Sequence, residues 1–240
     1  MPVQYWVSLL NAGAPWQTGS GATLSTAATA TLSPEGAGGT GDDPLIPAYG
    51  FYQGFIARVT ARGIYTMGST ATNGTFAIYV SAPGTALSGG TALATTGALA
   101  LPVSVTNLWW TVEAIVQCRA IAQGTATNTL YTAGQFMLQT ATPSGTTGNV
   151  QVWPMPATAG PTVATVDTTV AHTIGLVGTL SQITGSPTIT CTQFAVEAMS
   201  CPAADGVHPA DGLREPAADH RPDRRHDCAH RRDGGDVDRQ

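Results

Sequence analysis

Residues 107–122 read NLWWTVEAIVQCRAIA, and the spacing of their apolar side chains decides the fold. Leu108, Trp110, Val112, Ala114, Val116, Cys118, Ala120 and Ala122 take every even position, while Thr111, Glu113, Gln117 and Arg119 fall on odd ones. Successive side chains of a strand point to opposite faces, so the stretch predicts one long strand with a core face and an outer face. The outer face also carries Trp109, Ile115 and Ile121, and those apolar groups predict that another surface covers part of it.

The same period of two runs outward from this strand in both directions. QGFIARVTARGIY sets Arg58, Thr60 and Arg62 against Phe55, Val59 and Ala61. GTFAIYV groups Phe76, Ile78 and Val80; GQFMLQT places Phe136 and Leu138 opposite Gln135 and Gln139; AHTIGLVGTL aligns Ile174, Leu176 and Leu180. The run TITCTQFAVEAM changes phase, with Ile189 and Cys191 on one face and Phe194 and Val196 on the other. A one-residue bulge near Thr192 reconciles them. VQYWVSLL and ATLSTAATATL add two N-terminal strands, and Gly-, Pro- and Ser-rich stretches such as SAPGTALSGG supply the turns. Eight or more strands without a helical period predict an all-β, two-sheet sandwich of jelly-roll type over residues 1–200.

Composition narrows the function. There is no Lys, and residues 1–200 hold only Arg58, Arg62 and Arg119 against Glu35, Asp42, Asp43, Glu113, Asp167 and Glu197. A nucleic-acid binder needs a basic patch that this body cannot assemble. The opening MPVQYWVSLLNAGAPW lacks a basic n-region and alternates, so it does not read as a signal peptide. No stretch approaches the ~20 apolar residues of a membrane helix. The expectation is a protein folded in a cytoplasm, with Cys118, Cys191, Cys201 and Cys228 as thiols at no framework spacing.

No residue set declares a reaction. Asp42 and Asp43 are oxygen donors in a Gly-rich loop, but without further carboxylates nearby they read as a solvated turn. His172, the single His of the body, falls on an apolar strand face, where a structural role is expected. Cys118 sits on the core face as a small hydrophobe. Glu113 and Arg119 share the outer face about 20 Å apart, so each is expected to meet a neighbouring strand or another subunit. The reading is of a non-enzyme that needs no cofactor and holds no metal.

Residues 201–240 are of another kind, with seven Arg, nine Asp or Glu, and no Ser, Thr, Asn, Phe, Trp or Tyr. They predict a charged, disordered tail. Its His208, His220, His226, Cys228 and His230 do not follow zinc-ligand spacing. A codon argument offers an origin. In a GC-rich gene, Asp, His and Arg codons read one nucleotide later become Thr, Ala and Gly codons, the composition of the body. The tail is then a shifted-frame extension, an idea that the nucleotide sequence tests.

The run PLIPAYGFYQGFIARVTARGIYTMGST, with GTFAIYV and LWWTVEAIVQCRAIAQGTATNTLYTAGQFML after it, resembles a group of structural proteins of tailed bacteriophages. In that group an IPA loop precedes a strand ending in ARG or AAG, and a W-x-[LV]-E strand followed by Arg comes later. Here these are Ile46 to Ala48, Ala61 to Gly63, and Trp110 to Glu113 with Arg119. The likeness covers about residues 40–200 and is a pattern of β residues. It implies a jelly-roll virion protein, assembled in the host cytoplasm. Such proteins are often trimeric and sit on the head surface or in tail-fibre attachments, so the expectation is a homotrimer that decorates or cements the capsid by binding the major capsid protein or other virion proteins. Trp109, Ile115 and Ile121 are the candidate interface, and neither nucleic acid nor membrane is a partner. The alternative is a tail-fibre or minor tail module that binds a receptor or glycan through loop aromatics. Trp16, Tyr49, Phe51, Tyr52 and Trp153 are the candidates for that role.

Overall fold

The computed structural model describes residues 7–8, 23–25, 28–33, 45–121, 128–141, 149–157, 160 and 162–199. Residues 201–240, with their His and Cys cluster, lie outside the described residues, as do Trp16, Asp42 and Asp43. In chain order the strands are β1 (Val7–Ser8), β2 (Thr23–Leu24), β3 (Thr29–Thr31), β4 (Leu45–Ile46), β5 (Ile56–Met67), β6 (Asn73–Ser81) and β7 (Thr91–Thr95). They continue as β8 (Leu99–Ala100), β9 (Val105–Ile121), β10 (Asn128–Gln139), β11 (Val150–Met155), β12 (Thr162–Val166), β13 (His172–Leu180) and β14 (Thr188–Ala198). A single 3-10 turn at Leu87–Gly89 is the only helical segment among the described residues.

All pairings are antiparallel, and they nest. β6 pairs with β7 and β8, β5 with β9, β3 and β4 with β13, and β1 and β2 with β14. That is one long two-stranded ribbon, paired end to end. Rolling it sends alternate segments to opposite layers. The β1/β2–β14 and β5–β9 segments join through β14–β5, and the β3/β4–β13 and β6–β7/β8 segments join through β13–β6. This nested arrangement is the jelly roll, and it is what the sequence predicts. Between β9 and β13 the chain makes an excursion, β10 to β12, that widens the first sheet.

The core lies between the layers. Phe76 of the smaller sheet stacks on Phe136 of the larger one with ring centroids 4.3 Å apart, and the Trp110 indole lies 5.9 Å from Phe76. Every even residue of β9 from Leu108 to Cys118 is buried, as the alternation requires. Trp110 fits because its register partner on β5 is Gly63, where a Cβ would come within 2.7 Å of the indole ring. Its Nε1 donates to the carbonyl of Ile64 at 3.3 Å. The phase change in β14 is a bulge: Cys191 pairs with Gly63 and Gln193 with Arg62, leaving Thr192 as the extra residue. Ile189, Cys191, Phe194 and Val196 all reach the core as a result.

Some side chains depart from simple alternation, among them Thr111, buried on the outer face of β9. Gln139, expected opposite the core residues, is buried; its Oε1 accepts from the Trp109 N–H at 3.3 Å and its Nε2 donates to the Ala141 carbonyl at 3.0 Å. The amide is buried because both of its ends have backbone partners.

Candidate functional site: the outer face of the larger sheet

The outer face of the larger sheet concentrates the charge of the described residues. Six Arg, Asp and Glu side chains fall among the described residues. Five of them, Arg58 and Arg62 on β5, Glu113 and Arg119 on β9 and Glu197 on β14, stand on this one face; Asp167 is the exception. The register explains the grouping. Glu197 pairs with Arg58 across β14–β5, and Thr60 pairs with Glu113 across β5–β9, which sets Glu113 diagonally opposite Arg62. The Arg62 Nη2 and Glu113 Oε1 are 3.8 Å apart, both side chains about half exposed. Arg119 lies over the Tyr131 ring of β10, 4.9 Å from its centroid. Glu113 and Arg119 thus each meet a neighbouring strand.

These side chains border a depression of about 710 Å³. Arg58, Thr60, Arg62, Glu113, Gln135 and Glu197 line it. Its floor is kept low by Ala133 and Gly134, which stand behind the polar rim on β10.

Beside the groove the face turns apolar. Trp109 is 39% exposed and Ile115 37%. They do not form one stripe along β9, because Thr111 and Glu113 separate them. Trp109 instead pairs across the sheet with Ile64, itself 40% exposed, and reaches Gln139 on β10; Gln139 in turn pairs with Val150 of β11. Val150 and Val152 are exposed on the same margin. The result is a set of exposed apolar side chains from three strands, Ile64 of β5, Trp109 of β9 and Val150 and Val152 of β11, with Gln139 of β10 between Trp109 and the valines. Ile115 stands apart between Arg58 and Ala133. The β9–β10 ladder shifts at Arg119, so alternation counted from Trp109 is interrupted before Ile121. The Ile121 side chain lies outside the described residues.

The loop aromatics separate. Tyr49 is 67% exposed, at a backbone φ of 61°. Phe51 is buried, edge-on to Phe55 at 5.4 Å and tilted against the His172 ring at 5.9 Å, so it packs in the core and cannot offer an exposed platform. Tyr52 is half-buried against Phe55, and Trp153 lies on β11 with its ring 6.0 Å from Phe136. They make no common surface.

The remaining candidates are structural. His172 is buried on β13, its Nε2 bonded to the Asp167 carbonyl. Burial raises the Cys118 thiol above its ordinary range and pushes that of Cys191 up to about 12, so neither is a thiolate at neutral pH. No group of three or more His, Cys, Asp or Glu suited to a metal occurs among the described residues. Comparison with protein-family models, with curated proteins and with solved structures finds no match for this chain.

Proposed function

We propose that the chain is a non-enzymatic structural protein of a phage virion. In this reading it decorates or cements the capsid as a homotrimer, bound to the major capsid protein or to another virion protein. The observation that supports this reading is the exposed apolar set of Ile64, Trp109, Val150 and Val152, on a sheet face that also carries Ile115 and five charged side chains. Apolar surface of this kind is a typical site of association, and symmetric self-association is the usual way to cover it. Equivalent sites on a shell then turn weak contacts into a firm hold through multivalency. Light scattering of the full chain tests the proposal: a mass of three chains is expected, and a monomer at all concentrations ends it. Density for the jelly roll on the head surface of a purified particle is the expected result of imaging, and its absence from the virion overturns the assignment.

A second reading draws on a separate observation, the polar groove beside that apolar set. A tail-fibre or minor tail module that holds a receptor or glycan needs a recessed polar surface, and the groove is one. Its location differs from that expected of loop aromatics.

A further inference from the structure

We propose that the groove between β14, β5, β9 and β10 is a binding site for a neutral, hydroxyl-rich ligand, an oligosaccharide of a few sugar units. The proposal rests on the second reading above and gives it a site and a ligand class. Three observations carry it.

The first is where the charge lies. Elsewhere the described residues meet water with Thr, Ser, Gly and Gln and with apolar side chains such as Tyr49, Val103 and Val170, yet four of the six Arg, Asp and Glu side chains among them line this one depression. Solubility alone gives no reason to gather them on one face.

The second is their balance. Arg58 and Arg62 against Glu113 and Glu197 sum to zero, and the signs alternate across β14, β5 and β9. A phosphate or carboxylate ligand meets two carboxylates beside the arginines, and a cation meets two guanidinium groups, so either is opposed by half of the rim. A neutral ligand is not. Planar guanidinium, carboxylate and amide groups present paired donors or paired acceptors. Adjacent sugar hydroxyls, each both donor and acceptor, match both kinds at once.

The third is size and polarity. About 710 Å³ is within the usual range for small-ligand sites, roughly 300–1,000 Å³. Such sites are ordinarily lined by apolar and aromatic groups. Here Thr60, Gln135 and the four charged side chains stand together with Ile115, Ala133 and Ala195, a mixed lining that suits a guest with hydroxyl groups on its edges and C–H groups on its faces. The floor of Ala133, Gly134 and Ala195 leaves room for a ring to lie against the sheet.

The test is titration of the full chain with maltotetraose, cellotetraose and chitotetraose, followed by calorimetry or amide chemical shifts. Tetragalacturonate serves as an anionic control. Saturable binding of at least one neutral tetramer is expected, with an affinity that changes little between about 0.1 M and 1 M salt. Glu113→Gln and Arg62→Gln should each weaken it by about tenfold or more. Both side chains are about half exposed, so these variants retain the fold. Trp109→Ala should leave it unchanged. Absence of saturable binding to all three neutral tetramers overturns the proposal. So does a preference for tetragalacturonate that fades with salt, which marks an anion site. Binding seen only when Trp109→Ala has dissociated an oligomer also overturns it, because the groove is then a subunit interface. A chain that binds sugar but is monomeric refutes the trimer alone, and a trimer that binds none refutes the groove alone.

Discussion

The two sheets treat their outer faces differently. In the smaller sheet, eight of the nine residues of β13 are buried, inward and outward alike. Its outer side is roofed by the chain's own loops: Leu87 of the 3-10 turn and Ser33 press on Gly175 so closely that a Cβ there would lie 2.3 Å from each. Ser33 also accepts from the Leu176 N–H through its hydroxyl at 3.2 Å, and the Ser81 and Thr173 hydroxyls bond at 3.2 Å. Among the described residues the larger sheet has no such roof over β5, β9 and β10, and its outer face shows Ile64, Trp109 and Ile115 with five charged side chains. One sheet completes its burial within the chain. The other leaves its surface open among the described residues, which is why the proposed contacts fall on the larger sheet.

The contrast can be broken from the core outward. Trp110→Ala removes the largest buried side chain shared by both layers and should cost about 3–5 kcal/mol, read as a lower denaturant midpoint or outright unfolding. Next comes the roof. Gly175→Val forces Leu87 and Ser33 away and should cost about 1–3 kcal/mol, whereas Thr60→Val on the open face should stay within about 0.5 kcal/mol. If those two variants cost the same, the sheets do not differ as described. Trp109→Ala should weaken association by about 2 kcal/mol with the β spectrum unchanged, measured by sedimentation across concentrations. An exchange of the Trp109 and Trp110 phenotypes would mean that β9 faces the other way.

The smallest effect lies at the turn before β13. Hydrogen bonds from the Thr169 hydroxyl and N–H, aided by His172, hold the Asp167 carboxyl below its ordinary 3.8. A depressed carboxylate stabilises the fold above its unfolded value and loses that contribution as pH falls through the folded one. Asp167→Asn should therefore lower stability slightly at neutral pH, leave it unchanged at the acid extreme, and so flatten the decline below about pH 4, as followed by denaturation at stepped pH. An unaltered acid profile would remove Asp167 from that role.

Much of the frame is legible in the chain. The two faces of β9 follow from alternation alone, and the Thr192 bulge follows from a phase change in eleven residues, because both depend on neighbours in sequence. Register across strands is another matter. Ile64 meets Trp109 through a pairing 45 positions apart, and no local pattern reports it. The groove is harder still, since its rim comes from four strands whose order is set by the roll of the whole ribbon. Gln139 looks solvent-facing until its two backbone partners are known. Phe51, in a loop between Tyr49 and Tyr52, looks exposed; only the fold brings Phe55 and His172 against it.

One margin of the larger sheet has a consequence of its own. Beyond β10 the ladder continues as two short strands laid end to end, β11 and β12, and not as one long one. Pro154, within β11, has no N–H to offer to a further strand. A long unbroken border of free N–H and C=O groups templates the addition of further chains without limit. Here the border stops after six residues and resumes after a gap. This margin therefore offers no long rail along which further chains could polymerise into fibres.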